Sequence, residues 1–373
     1  MIIEPLVPSS PRRIDAHRVA IRDVVFGGDR VPVIAGPCAV EPGYVEHARV
    51  TAEAGASVLR GCVFKPRTSP NSFQGLGETG LDLLDEARRR TDLPVLVEPL
   101  EVAHIDALRG HADALMIGAR SMHNTPLLRA AGRSGLPVVV KRGMSATYDE
   151  WLAAVDYVRA EGNDQVILCE RGIRTFETAT RNTLDLSAIV VLRELTDLPI
   201  IVDPSHAAGR ADWVAPLSVA AIAAGADGLL IESHPHPEKS MCDAAQAIAP
   251  DRLAQIVQAT HLLVAAVRPT DPTTVVAARA ELDSIDEALA RLVDRRARVV
   301  ARVGRIKAET GLPVRDPARE HEVIARAQRL APALGSVHAA RVMRAMIEAC
   351  LDAARDGEGD AEVLDALALA ECV

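Results

Sequence analysis

Aromatic residues are almost missing from this chain: two Trp, three Tyr and four Phe make up 2% of 373 residues. Its cores must therefore be built from Ala, Val, Leu and Ile, within a hydrophobic content of 49%. No apolar run reaches the roughly 20 residues that span a bilayer, so no membrane partner is expected. Cysteine is sparse and scattered, at Cys38, Cys62, Cys169, Cys242, Cys350 and Cys372, with no CxxC pair. That usage suits a reducing cytoplasm better than a disulfide framework. The start, MIIEPLVPSSPRR, carries an acid at Glu4 and no basic n-region, so a secretory signal is not expected. Positive charge is in deficit: a net charge of −9 argues against nucleic acid as the main partner.

What is present is a repeat. TDLPVLVEP (91–99), SGLPVVVKR (134–142) and TDLPIIVDP (196–204) each end a helix, pass Leu-Pro, and enter a β-branched run that stops at a charged or special residue. Eight such runs occur, at 31–38, 57–64, 94–99, 114–119, 137–143, 165–172, 199–206 and 228–234. Continuous Val/Ile/Leu runs suit parallel strands buried on both faces, and helical-period stretches separate them. The pattern predicts an α/β fold, a (β/α)8 barrel, over residues 1–267 with a short N-terminal extension. RPTDPTT marks a linker at 268–274. From 275 to 356 the pattern is helix only, with one long helix to about Glu309 and shorter helices near 317–331 and 336–355. Residues 357–373 read as a tail or a small docking helix.

In such a barrel the C-terminal strand ends face the active site. Read in order, those ends carry Cys38, Arg60 with Lys65, Glu98, Arg120, Lys141, Arg171, His206 and Glu232. Cys38, His206 and Glu232, with nearby Asp243, offer one thiolate, one imidazole and two carboxylates. That mixed set suits Mn²⁺, Fe²⁺, Co²⁺ or Zn²⁺ and disfavours Mg²⁺. Any one of the four, taken alone, is more often a buried small hydrophobe or a loop polar group. Four at the strand ends of one barrel reverse those odds. Cys62, Cys169 and Cys242 read as structural. Arg60, Lys65, Arg67, Arg120, Lys141 and Arg171 would crowd one mouth without carboxylate partners. With a metal cluster near −1, the pocket sums to about +5, which suits two phosphorylated substrates, one also a carboxylate.

These residues carry a resemblance. AGPCAVE, KPRTSPNSFQGLG, IGAR, VVKRGMSAT, ILCERGIRTFETATRNTLDL, VDPSHAAGR and IESHPHPEKSMCDAAQ resemble 3-deoxy-D-arabino-heptulosonate 7-phosphate (DAHP) synthases. The subgroup is the short one that also resembles 3-deoxy-D-manno-octulosonate 8-phosphate synthases, and the match spans about residues 30–265. KPRTS, in place of a longer Lys-Ala-Asn-Arg-Thr-Ser, implies erythrose 4-phosphate as the aldose. By the resemblance, Cys38, His206, Glu232 and Asp243 hold a divalent metal, with Mn²⁺ the first expectation. Arg120, Lys141 and Arg171 take the phosphoenolpyruvate phosphate, and Arg60 and Lys65 its carboxylate side. Arg67 and Thr68 grip the erythrose 4-phosphate phosphate, and Pro66, with its fixed φ, steadies both neighbours. Lys65 is the candidate acid for the aldehyde oxygen, and Glu98 the candidate for orienting the attacking water.

The long helix carries Leu282, Ile285, Leu289, Leu292, Val299, Val303 and Ile306 at alternating steps of three and four, as in a packed seam. Arg296 falls where a seam residue is due, and Arg279 and Lys307 lie beside the seam near its ends. A charge there costs several kcal/mol unless paired, so an anion is expected. Residues 275–356 hold 15 Lys/Arg against 12 Asp/Glu, with no interleaved aromatics, which reads as a solvated mixed-charge face rather than a nucleic-acid surface. The pattern through VRDPARE resembles the all-helical chorismate mutases over about residues 275–355. That resemblance implies that Arg279, Arg296, Lys307 and Arg319 bind chorismate's carboxylates and ether oxygen. Glu320 would bind the ring hydroxyl, and Asp316 would shape that pocket. Arg279 usually comes from the partner subunit of a dimer in this family. The family's Gln or Glu beside the ether oxygen is Ala354 here, and its Ser is Cys350, which implies a weak mutase. The expectation is therefore a bifunctional cytoplasmic enzyme. It would dimerise through the helical domain, with a tetramer through the barrel as a further option. Fusion suggests feedback by prephenate or chorismate. The alternatives are a helical domain that senses chorismate or prephenate without catalysis, or one that recruits other proteins.

Overall fold

In a computed structural model, the described residues are 17–67, 69–267, 272 and 274–356. Thr68, most of the linker and residues 357–373 lie outside them. The chain divides into two compact units, Met1–Thr273 and Thr274–Val373.

In the first unit eight parallel strands close into a barrel: β3 (Val33–Gly36), β4 (Val58–Arg60), β5 (Val95–Val97), β6 (Ala114–Ile117), β7 (Val138–Lys141), β8 (Val166–Glu170), β9 (Ile200–Val202) and β10 (Gly228–Glu232). Each pairs with its chain neighbours, and β10 closes on β3 with Glu232 opposite Gly36. Every strand residue is buried, as the continuous apolar runs require. Alternation still sorts them. Ile34, Val58, Leu96, Met116, Val139, Ile167, Ile201 and Leu230 belong to one core cluster, and Val33, Leu59, Val95, Leu115, Val138, Leu168, Ile200 and Leu229 to another. The first is the barrel's filling and the second lies against the helices.

One element has no counterpart in the sequence reading. A two-stranded hairpin, β1 (Val19–Ile21) and β2 (Val24–Phe26), precedes the barrel. Val19, Ile21 and Phe26 join the filling cluster. Phe26 lies against Gly228, the first residue of β10, so the hairpin plugs the N-terminal end and leaves the other end for a site. Its strands are three residues long and escape any count of apolar runs.

The described residues of the second unit form three helices, Val275–Thr310, Pro317–Leu330 and Ser336–Asp356. Gly311 (φ 68°) and Gly335 (φ 78°) turn the chain between them. Asp316 caps the second helix by accepting from the Arg319 amide at 3.0 Å. The first and second helices both pack on the third. The expected seam does not face them: Leu282, Leu289, Leu292, Val299, Val303 and Ile306 are all exposed in the single chain. Small residues, such as Ala288, Ala339 and Ala340, make the buried contact instead, together with Ile347 and Cys350. No helix among the described residues is long and apolar enough to cross a membrane.

Candidate active site

The C-terminal strand ends surround a cavity of about 240 Å³. Arg60, Lys65, Pro66, Arg67, Glu98, Arg120, Lys141, Arg171, His206 and Asp243 all line it. Two glycines make room. Gly36 has φ 143°, and a Cβ there would lie 2.8 Å from the Arg60 carbonyl oxygen, so β3 can approach β4 closely. At Gly118, which leads into the short turn bearing Arg120, a Cβ would sit 2.0 Å from Glu98 Oε1.

The four expected ligands meet. One donor atom from each of Cys38, His206, Glu232 and Asp243 lies within 4.8 Å of the others. Asp243 reaches the group from a left-handed backbone (φ 51°), a conformation Asp tolerates better than most residues. Cys38 Sγ lies 3.2 Å from Asp243 Oδ2, and His206 Nε2 lies 3.9 Å from Glu232 Oε2. Burial pushes the Cys38 thiol well up and the Glu232 carboxyl up, and it holds the His206 imidazole well down, in its neutral form. Glu232 Oε1 is buried with no hydrogen-bond partner. A neutral imidazole, an orphaned carboxylate oxygen and a thiol that only a nearby cation would ionise fit a divalent metal.

The cations are better paired than expected. Lys141 Nζ makes a short contact with Asp203, a residue the sequence reading passed over inside VDPSH. Lys65 Nζ lies 4.0 Å from Glu98 Oε2. The notion of six cations without carboxylates is therefore corrected. Adding Glu98 and Asp203, together with the further lining cation Arg181, changes the summed charge from about +5 to about +4, still enough to need anions. Burial opposes the charge on Lys65, but Cys38 and Glu98 outweigh it and raise its pKa above the ordinary lysine range. Burial also works against Asp203, yet His206 and Lys141 hold it well below the usual carboxylate range. Arg60 is 1% exposed and gives its Nε to the Pro37 carbonyl at 3.1 Å. Its Nη2 faces Glu232 Oε2 at 3.6 Å, beyond hydrogen-bond distance, and neither terminal nitrogen has a hydrogen-bond partner, which leaves a buried fork suited to a carboxylate.

Further residues escaped the sequence reading. Gln246 donates to Glu232 Oε2 at 2.6 Å and accepts from Arg181 at 2.8 Å. Arg181 also reaches Asp243 at 3.3 Å, and Asn182 donates to the His206 carbonyl at 3.2 Å. Asp203 had a legible signal, an N-cap three residues before His206. Gln246 and Arg181 had none, because their partners are distant in the chain.

In the helical unit Arg296 is half-buried and donates to the Met346 carbonyl at 3.3 Å, so the expected anion is replaced in part by a carbonyl. Lys307 donates to the Val314 carbonyl at 3.0 Å. Glu320 takes a two-pronged contact from Arg315 at 2.9 and 2.8 Å, which lowers its pKa. Arg319 turns to Glu322 at 2.8 Å, and Arg279 is exposed. A cavity of about 220 Å³ is lined by Arg315, Glu348, Leu351, Asp352 and Arg355, and by none of the six residues expected to bind chorismate.

Comparison with known proteins agrees with both units. The DAHP synthetase I family model matches residues 12–265, and the chorismate mutase type II model matches residues 278–355. The chain is 47% identical over 242 residues to a phospho-2-dehydro-3-deoxyheptonate aldolase of Thermotoga maritima, covering 64% of this chain and 72% of that one. It is 35% identical over 269 residues to a 2-dehydro-3-deoxyphosphooctonate aldolase of Syntrophotalea carbinolica, covering 66% and 96%. A crystal structure of the Thermotoga maritima DAHP synthase superposes with a TM-score of 0.65 at 46% identity, over 68% of this chain and 74% of that one.

Proposed function

The chain belongs to the DAHP synthetase I family and carries a chorismate mutase type II domain, and on that footing we propose how its residues serve two reactions. The barrel condenses phosphoenolpyruvate with erythrose 4-phosphate to DAHP, and the helical unit rearranges chorismate to prephenate.

Cys38, His206, Glu232 and Asp243 would hold the metal; Mn²⁺ is the ion proposed, and Co²⁺, Fe²⁺ or Zn²⁺ fits the same donors. When bound, it supplies Lewis acidity to the aldehyde oxygen. Arg120, Lys141 and Arg171 bind the phosphoenolpyruvate phosphate, and the Arg60 fork with Lys65 takes the carboxylate. Arg67 and Thr68 hold the erythrose 4-phosphate phosphate, with Pro66 limiting the swing of Lys65 and Arg67. C3 of phosphoenolpyruvate attacks the aldehyde carbon, and the Lys65 ammonium gives the new alkoxide its proton. Glu98 orients the water that adds at C2, and phosphate leaves as the C–O bond breaks. Most of the acceleration comes from positioning two mutually repelling anions.

In the helical unit Arg279, Arg296, Lys307 and Arg319 would bind chorismate, with Asp316 and Glu320 shaping the ring-hydroxyl pocket. No nucleophile is required, because the site stabilises charge on the breaking ether oxygen. The exposed stripe from Leu282 to Ile306 supports a homodimer through this unit, with Arg279 supplied by the partner copy. The cytoplasm is the proposed location. Fusion of the two reactions supports control of the first by prephenate or chorismate.

The observation that carries this reading is four convergent ligand atoms, two of them from His206 and Asp243 on the wall of a cavity that seven Lys and Arg side chains also line. The test takes the metal-stripped full chain. With phosphoenolpyruvate and erythrose 4-phosphate, Mn²⁺ should restore equal yields of DAHP and inorganic phosphate, while chorismate turnover ignores the metal. Phosphate release without a seven-carbon product would sink the synthase reading.

A further inference from the structure

A second set of metal-ligand residue types lies beside the first. Glu41, His47 and His234 bring one donor atom each within 4.8 Å of one another, all buried or nearly so. By composition alone it is a two-histidine, one-carboxylate group of the kind that binds metals.

The hydrogen bonds decide otherwise. The His236 amide donates to His234 Nδ1 at 2.9 Å, so that nitrogen carries the lone pair. The proton of a neutral imidazole is then on Nε2, which lies 2.6 Å from Glu41 Oε1 and donates to it. A donating Nε2 has no lone pair for a metal. Glu41 Oε2 is also engaged, accepting from the Met241 amide at 3.0 Å. His47 only flanks the pair: its Nδ1 stays 3.9 Å from Glu41 Oε1 and its ring meets His234 edge-on at 4.4 Å.

The two bonds to Glu41 tie the loop after β3 to two points along the connection that follows β10. Glu41 lies three residues beyond Cys38, His234 two beyond Glu232, and Met241 two before Asp243. We propose that Glu41 is a positioning residue, a buried latch whose bonds to His234 and the Met241 amide hold the loops bearing three of the four metal ligands in register. The fourth ligand, His206, is held separately by Asp203, which accepts from its amide at 2.9 Å. Glu41 is 4% exposed and His234 2%, so water does not compete for the latch. This rests on the reading of Cys38, His206, Glu232 and Asp243 as the metal site.

The test titrates Cd²⁺ into the metal-free full chain and follows both stoichiometry and the thiolate-to-metal absorption band. Wild type should bind one ion per chain with a band that Cys38→Ser removes. Glu41→Ala should keep one ion and the band but bind about 10–100-fold more weakly. His234→Gln retains a donor near the Nε2 position and should bind within a few-fold of wild type, whereas His234→Leu should match Glu41→Ala. That pair decides the matter even if Glu41→Ala does not fold. Unchanged affinity in Glu41→Ala, or equal losses in the two His234 variants, would overturn the latch. So would two ions per chain, with the second lost in Glu41→Ala. A wild-type chain with no thiolate band would instead remove the metal reading, and the latch with it.

Discussion

Asp203 Oδ2 lies 2.8 Å from His206 Nδ1, and the same carboxylate oxygen contacts Lys141 Nζ. One fully buried acid thus pairs with both the histidine proposed to hold the metal and the lysine proposed to hold the phosphoenolpyruvate phosphate. Asp203→Asn would leave Lys141 buried and unpaired, at a cost of about 3–5 kcal/mol in stability. Phosphoenolpyruvate should recover part of that loss by supplying a phosphate to Lys141, and metal affinity should fall about 10–100-fold. Thermal unfolding with and without phosphoenolpyruvate, beside Mn²⁺ titration, checks this. Wild-type metal affinity would refute the orienting role.

Gly118→Ala probes the space beside Glu98. The new methyl would meet Glu98 Oε1 at 2.0 Å, so Glu98 or the turn bearing Arg120 must shift. Displacement by about 1 Å costs on the order of 100-fold in turnover. Steady-state kinetics should show that loss while circular dichroism stays unchanged; an equally active variant would dismiss Glu98 from the mechanism.

Acid sensitivity has an identifiable contributor away from the metal. Burial opposes the charge on Asp185, but Arg142 Nη1 and Tyr148 Oη, each at 2.8 Å, overcome it and lower its pKa. A carboxyl with a depressed folded pKa adds stability above its unfolded value, near pH 4, and loses it as pH falls through the folded one. Glu170, raised by burial despite Arg142, acts in the opposite sense: its contribution is lost as pH rises through the folded value. Asp185→Asn should therefore lower stability at pH 7 and flatten the decline below about pH 4. Denaturant unfolding across pH tests it, and an unaltered acid slope would count against it.

The exposed stripe of the long helix asks for a partner. Burying one leucine contributes about 1.5–3 kcal/mol. Leu292 is 55% exposed in the single chain, so Leu292→Asp should fold, yet it places a charge in the proposed interface. Sedimentation should show a smaller assembly, with chorismate turnover lost and DAHP formation retained. An unchanged assembly would remove the stripe from consideration.

By the resemblance to chorismate mutases, Ala354 takes the place of a Gln or Glu that donates a hydrogen bond to the ether oxygen. Loss of a comparable donor costs about 100–1,000-fold in rate. Ala354→Gln should therefore raise chorismate turnover substantially in the full chain. No gain would favour a helical unit that binds chorismate or prephenate chiefly as a sensor.

Much of the candidate site was legible before folding. A buried parallel strand needs a continuous apolar run, and the first charged residue beyond it falls at the strand's end. That local rule located Arg60, Lys141 and Glu232, whereas at the end of β8 it meets Glu170 before Arg171. It failed for the hairpin Val19–Phe26, whose strands are too short to announce themselves. It failed also for Gln246 and Glu41, whose partners Glu232 and His234 are 14 and 193 residues away. In the long helix the period of the seam was visible, but a period does not say whether a stripe meets its own chain or another. The structure leaves Leu289 and Leu292 outside.

The order of the residues settled, unaided, which side chains stand at the strand ends and which chemistry they can do, because helix and strand periodicity are properties of neighbours. Barrel closure alone decided that Glu98 and Asp203 temper the cations, and that His234 donates to Glu41 rather than to a metal. Those outcomes depend on distances and proton positions between segments far apart in the chain, which only the packed fold specifies.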